Sequence, residues 1–78
     1  MLSFVWSFGV AVWVVAVPVA DMLSRSGPEA DLVSQAVLGT TVEPLREEGG
    51  WMRIRTPDSY EGWTPPEALA RLDVPYPN

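Results

Sequence analysis

Gly49-Gly50-Trp51-Met52-Arg53-Ile54-Arg55-Thr56-Pro57-Asp58-Ser59-Tyr60-Glu61-Gly62-Trp63 is the stretch that decides the fold of this chain. Trp51 to Thr56 is rich in β-formers, and a second run resumes at Tyr60 to Thr64 after the turn cluster Thr-Pro-Asp-Ser. The Gly-Gly pair before Trp51 supplies the positive φ that a tight hairpin turn asks for. The strand starting at Trp51 therefore folds back on Thr41 to Glu48. That makes three consecutive strands. A period of two sends Met52 and Ile54 to one face, the core, and Trp51, Arg53 and Arg55 to the other. The second face, an indole flanked by two guanidinium groups, is the first candidate contact surface.

Downstream, Thr64-Pro65-Pro66-Glu67-Ala68-Leu69-Ala70-Arg71-Leu72 predicts one helical turn and then a last short strand. Pro66 suits a first helical position, with Thr64 or Pro65 as its cap. Asp73 to Asn78 carries Pro75 and Pro77, which argues against sheet pairing. It reads as a stiff linker, so a further domain is expected beyond it. Upstream, Thr41 to Glu48 is strand-like although Pro44 removes a ladder donor, which an edge or a bulge tolerates. Val42 and Leu45 fall on opposite faces of a regular strand, so a bulge or a contact with Trp51 is expected. Leu32 to Leu38 contributes core residues but is too short for periodicity to separate helix from strand. Asp21 to Asp31 reads as a polar connection with Ser26-Gly27-Pro28 as its turn.

The chain opens with nineteen uncharged residues, Leu2 to Ala20. By length this run is a membrane-span candidate, with membrane contact through residues 2–20. A secretory leader is a second reading, although no Lys or Arg precedes Arg25 to form a basic start. A third takes Trp13 to Val19, β-branched and interrupted by Pro18, as the first strand of a small sheet, with residues 1–12 as an apolar leader or extension. All three stay open, and with them a secreted, envelope-associated or cytoplasmic location.

Composition excludes more than it assigns. Among 78 residues there is neither Cys nor His, so thiol nucleophiles, imidazole bases and the common transition-metal ligands are missing. No base is evident to activate a serine. The chain alone is expected to be neither an enzyme nor the holder of a cofactor. Ten acidic residues against five arginines give a net charge of −5, which argues against nucleic-acid binding. What is left after the apolar start is small enough that core burial and ordering entropy nearly cancel.

Four blocks taken together carry a family resemblance: Val17-Pro18-Val19-Ala20-Asp21-Met22, Asp31-Leu32-Val33-Ser34-Gln35-Ala36-Val37-Leu38-Gly39, Gly50-Trp51-Met52-Arg53-Ile54-Arg55 and Asp58-Ser59-Tyr60-Glu61-Gly62-Trp63. The Ser-Gln-x-x-x-Gly, Gly-Trp-x-x-x-Arg and Tyr-x-Gly-Trp combination resembles the N-terminal bacterial SH3 (SH3b) domain of NlpC-type cell-wall cysteine peptidases, the γ-D-glutamyl-L-diamino acid endopeptidases. The likeness spans roughly Trp13 to Leu72. It implies an all-β SH3-like barrel of about five strands with one short helical turn, preceded by the apolar segment. The domain would run over 13–73, with a linker at 74–78 leading to a C-terminal peptidase domain.

The resemblance also implies a role. In that family the catalytic Cys and His belong to the C-terminal domain, and the SH3b domain caps the cleft where the L-Ala end of a peptidoglycan stem peptide binds. Tyr60 matches the tyrosine that walls this end. Asp31 matches an acidic residue that holds the substrate amine, where the family more often has Glu. A second departure is Ser59, where the family usually has Gly.

Each candidate also has a plainer reading. Tyr60 could be a half-buried cross-strand aromatic, and Asp31 a helix cap or a solvated loop acid. Trp51 could be stacked by a guanidinium. Arg53 and Arg55 could form a solvated strand face or hold a D-Glu carboxylate. Trp63 reads as core, with Gly62 beside it admitting a neighbouring backbone and Ile54 and Met52 packing inside. The functional alternative to the peptidase module is a free-standing anchored or secreted domain that binds a proline-rich or other protein ligand.

Overall fold

The computed structural model describes residues 9–75. Seven strands and one 3-10 turn occupy them: β1 (Gly9–Val15), β2 (Val19–Leu23), β3 (Leu32–Val37), β4 (Thr41–Glu48), β5 (Trp51–Arg55), β6 (Glu61–Thr64), the turn at Pro66–Ala68, and β7 (Leu69–Pro75). The ladder runs β3-β2-β6-β5-β4-β1-β7. It does not close on itself, and β3 and β7 are its ends. This is a small all-β SH3-like fold, with more strands than the five the sequence suggests.

The extra strands have local causes. Pro18 bends the run Trp13–Val19, so the single first strand expected there becomes the end of β1 and the start of β2. β2 then continues through Leu23, into the stretch read as a connection. Ala20 and Met22 face inward on it at 2% and 0% exposure, which is burial enough to hold Asp21 between them in extended form. β1 itself starts at Gly9, upstream of the Trp13 at which the sequence reading opens the domain. Residues 1–8, most of the expected leader, lie outside the described residues. Among the described residues no helix is long and apolar enough to cross a membrane.

At the other end, β7 pairs with β1 from Leu69↔Val15 to Pro75↔Gly9. The expectation that Asp73 onward cannot pair is therefore corrected. β7 is an edge strand whose one neighbour is β1, and Pro75 is its last residue, where a missing N–H is tolerated. Residues 76–78 lie outside the described residues.

The central hairpin follows the sequence closely. Glu48 and Trp51 pair across Gly49 and Gly50, whose φ values of +59° and +83° suit a two-residue turn of the twisted, mirror-image kind. The β4–β5 register slips between Pro44 and Arg46, which makes Leu45 the bulged residue. Pro44 is tolerated because β1 accompanies β4 only at Val42 and Thr41, so the ladder has already parted on that flank.

The core gathers Val15, Ala20, Met22, Ala36, Val42, Ile54, Ala68 and Leu69, with Trp13, Val17 and Met52 packed against it. The 3-10 turn closes one end. Ala68 accepts a hydrogen bond from Ala16 N at 2.8 Å, which fixes the start of β7 beside the β1–β2 bend.

Candidate functional site

Tyr60 sits at the end of a three-residue hairpin loop. Thr56 N donates to Tyr60 O at 2.9 Å, and Ser59 N donates to Thr56 O at 2.9 Å. The Thr56 hydroxyl donates to the Asp58 carboxylate and, at 3.3 Å, to Tyr60 O. Pro57, Asp58 and Ser59 thus form a tight turn closed by a residue in the left-handed region, the usual geometry of a three-residue hairpin loop. That residue is Ser59, at φ +73°. It stands where glycine would be unstrained. The loop leaves Tyr60 53% exposed.

Asp31 lies just ahead of β3 and is exposed. Its N–H donates to the Ser24 hydroxyl at 3.2 Å, and its carbonyl accepts from Ser24 N at 2.8 Å. These bonds extend the β2–β3 ladder by one residue, so Asp31 caps no helix. Leu23, beside Ser24, pairs with Trp63 on β6. Among the described residues no hydrogen bond joins Asp31 and Tyr60.

The other three predicted contacts lie on the outer face of β5. Arg53 Nη2 donates to Glu61 Oε1 at 2.9 Å, and Arg55 Nε donates to Glu61 Oε2 at 3.1 Å. Arg55 also lies 3.4 Å from Glu43. Register explains the cluster, because Arg55 faces Glu61 across β5–β6 and Glu43 across β4–β5. The Arg53 hydrogen bond holds Glu61 below its ordinary value of 4.5. Partial burial opposes the shift, while the bond from Arg55 and the charges of both arginines reinforce it. Glu61 offsets the charge of both guanidinium groups, so an incoming carboxylate would compete with it for them.

Trp63 is buried at 4% exposure, but on this outer face, opposite Arg53 rather than inside with Ile54. The guanidinium groups of Arg46 and Arg53 stand 5.5 and 6.0 Å from its ring centroid. The cationic stack considered for Trp51 is thus found on Trp63. Trp51 itself is half-buried opposite Glu48. Gly62 lies opposite Ile54 and faces inward, where an added Cβ would stand 2.8 Å from that of Met22. Met52 flanks the core and Ile54 is fully buried.

Sequence reasoning missed Glu61, Glu43 and Arg46. Glu61 could have been found, since Arg55 and Glu61 are equidistant from Asp58 and a hairpin centred there must oppose them. Arg46 could not, because its place over Trp63 depends on the Leu45 bulge. Among the described residues no group of three acidic, Cys or His side chains is arranged to hold a metal ion.

The open seven-stranded sheet, the Gly-Gly hairpin and the 3-10 turn before the last strand define a bacterial SH3 domain. Residues 23–69 match the family described as the bacterial dipeptidyl-peptidase SH3 domain, and the chain belongs to that family. No match was found among curated proteins. The chain contains neither cysteine nor histidine.

Proposed function

We propose that this domain is the non-catalytic module of an NlpC-type cell-wall cysteine peptidase, capping the catalytic cleft and contacting the L-Ala end of a peptidoglycan stem peptide. The catalytic Cys and His would come from a peptidase domain C-terminal to it. The observation that carries this reading is the Tyr60 loop. A hydrogen-bonded turn, held with Ser59 in a left-handed conformation, leaves a large aromatic half-exposed where core packing does not require it. A phenol held in this way can wall a small peptide pocket and contribute one hydrogen bond. Asp31 would add an exposed carboxylate, a group suited to a peptide amine. Arg53 and Arg55 are already engaged by Glu61, so Tyr60 and Asp31 are the primary contacts of this reading.

The alternative, a free-standing anchored or secreted module for proline-rich ligands, calls for several exposed aromatics along one groove. Among the described residues Trp63 is buried under arginines, Trp13 and Trp51 are half-buried and Tyr60 is the one exposed aromatic, which favours the first reading. The test is a nuclear magnetic resonance titration of the 78-residue chain with L-Ala-γ-D-Glu-diaminopimelate and, separately, with a PxxP peptide. Saturable shifts at Tyr60 and Asp31 with the tripeptide alone are expected. Shifts with the proline peptide alone, or with neither, would overturn the proposal.

A further inference from the structure

β3 and β7 are the two open edges of the sheet, and their sequences treat that exposure differently. β7 carries Arg71, Asp73 and a terminal Pro75, and charges and proline are what keep an edge from pairing further. β3, Leu-Val-Ser-Gln-Ala-Val, carries neither. Leu32, Val33 and Val37 on it, and Leu38 just after it, are 47% to 62% exposed. Val19 on β2, which pairs with Val37, is exposed beside them.

The backbone of this edge is open as well. Leu38 N donates to Pro18 O at 3.1 Å. Bonded and non-bonded pairs alternate along an antiparallel ladder, so Ala20↔Ala36 and Met22↔Ser34 are the bonded pairs of β2 with β3. The N–H and C=O of Gln35 and the N–H of Val37 therefore point away from β2, to the open side.

The side chains along that side are self-complementary. Two copies of β3 laid antiparallel about Gln35 put Gln35 opposite Gln35, Val37 opposite Val33 and Leu38 opposite Leu32. Each exposed apolar residue of the strand then meets another, and the two Gln35 backbones form the bonded pair at the two-fold axis. In a chain of net charge −5, an edge strand without charge is where two copies can approach. Asp21, the one carboxylate of β2, lies a strand further back. Its two copies would stand three strand spacings, about 14 Å, apart, beyond the screening length of about 8 Å. The β2–β3 register slips at Val33, and that bulge twists the start of the strand without putting a charge there.

We infer that the chain self-associates through β3, a second copy adding its own β3 antiparallel across a two-fold axis at Gln35 to make one continuous sheet. The inference does not rest on the proposed peptidase role, and either can fail without the other. Edge pairing of one six-residue strand falls short of the roughly 1,600 Å² of a standard interface, so the dimer is weak, with a dissociation constant on the order of 100 µM.

The test is sedimentation equilibrium of the 78-residue chain from about 10 µM to 1 mM, with amide shifts followed over the same concentrations. A monomer–dimer equilibrium is expected, with concentration-dependent shifts centred on Gln35 and Val37. Val37→Lys sets a charge against Val33 of the second copy and should weaken the dimer about tenfold. It also brings the net charge closer to zero, which by itself would favour association. Val33→Glu should weaken it similarly. Combining the two substitutions sets lysine against glutamate twice across the axis and should return the affinity to near that of the parent. Both positions are exposed, so the variants keep the fold, which an unchanged thermal midpoint of the monomer verifies. A chain that stays monomeric to about 1 mM, association undiminished in Val37→Lys, or a double variant no tighter than either single one would overturn the inference.

Discussion

Gly62 and Met22 meet where β6 crosses β2, so closely that a Cβ on Gly62 would stand 2.8 Å from the Cβ of Met22 and 3.2 Å from the Leu23 carbonyl oxygen. Neither contact is with the end of a flexible side chain, and Met22 is fully buried. Gly62→Ala must therefore push two strands apart. We expect a loss of about 1–3 kcal/mol, the usual cost of overpacking a core. Urea denaturation monitored by Trp fluorescence would measure it, and an unchanged midpoint would refute the close approach.

Ser59 holds φ +73° as the only non-glycine residue of positive φ among the described residues. Replacing it with glycine removes the Cβ clash of the left-handed region while retaining the Thr56–Ser59 backbone bond. Ser59→Gly should stabilise the domain by about 1 kcal/mol. In a domain of this size that corresponds to a rise of about 4–8 °C in thermal midpoint. A fall would mean that the serine hydroxyl or unfolded-state entropy outweighs the strain.

Glu61 gives a pH-dependent term of definite sign. Its pKa is lower in the folded chain than its ordinary 4.5, chiefly through the Arg53 hydrogen bond. The stability it adds is fully present above the ordinary carboxylate value and is lost as pH falls through the lower folded value. Glu61→Gln should be the less stable form at pH 7, and the gap should close on acidification through that window. Parallel denaturation of the two forms from neutral to acid pH checks this. A gap that widens in acid would contradict the assignment.

Tyr60 and Trp63 should behave oppositely on truncation, although both are aromatic and three residues apart. Tyr60 is half-exposed, so Tyr60→Ala should leave stability within about 0.5 kcal/mol of the parent and abolish the tripeptide response proposed above. Trp63 is buried between its strand neighbours and two guanidinium groups. Trp63→Ala should cost about 3–5 kcal/mol, enough to unfold a domain this small. Comparable loss of folding in both would return Tyr60 to the core.

The parts of this fold legible in the sequence are those fixed within a few residues. Gly49-Gly50 dictated its own turn, the alternation through Met52 and Ile54 chose the inner face of β5, and Pro66 opened the 3-10 turn. Pro44 with the Val42–Leu45 mismatch correctly announced a bulge. Distant pairings were harder. Asp21 reads as part of a polar connection, because β2 is held extended by burial of Ala20 and Met22 against other strands, which no local pattern records. Trp63 is buried, as the sequence reading expects, but beside Arg53 rather than beside Ile54, because residues adjacent on a strand point to opposite faces and the β5–β6 register gives the Ile54 side to the glycine. Of the candidate site, Tyr60 and Asp31 were reached through family resemblance, whereas the engagement of Arg53 and Arg55 by Glu61 required the hairpin register.

The pairing of β1 with β7 has a mechanical corollary. Gly9 and Pro75 stand opposite each other at the same end of an antiparallel ribbon, so a pull applied through the two flanking segments opens the ladder one rung at a time, like a zipper. Strands loaded in shear would resist together, but these do not. The domain should therefore yield at low force from the Gly9–Pro75 end inward, with Val15 and Leu69 the last of the ribbon to part. Single-molecule stretching would see an early, compliant extension ahead of the hairpin core.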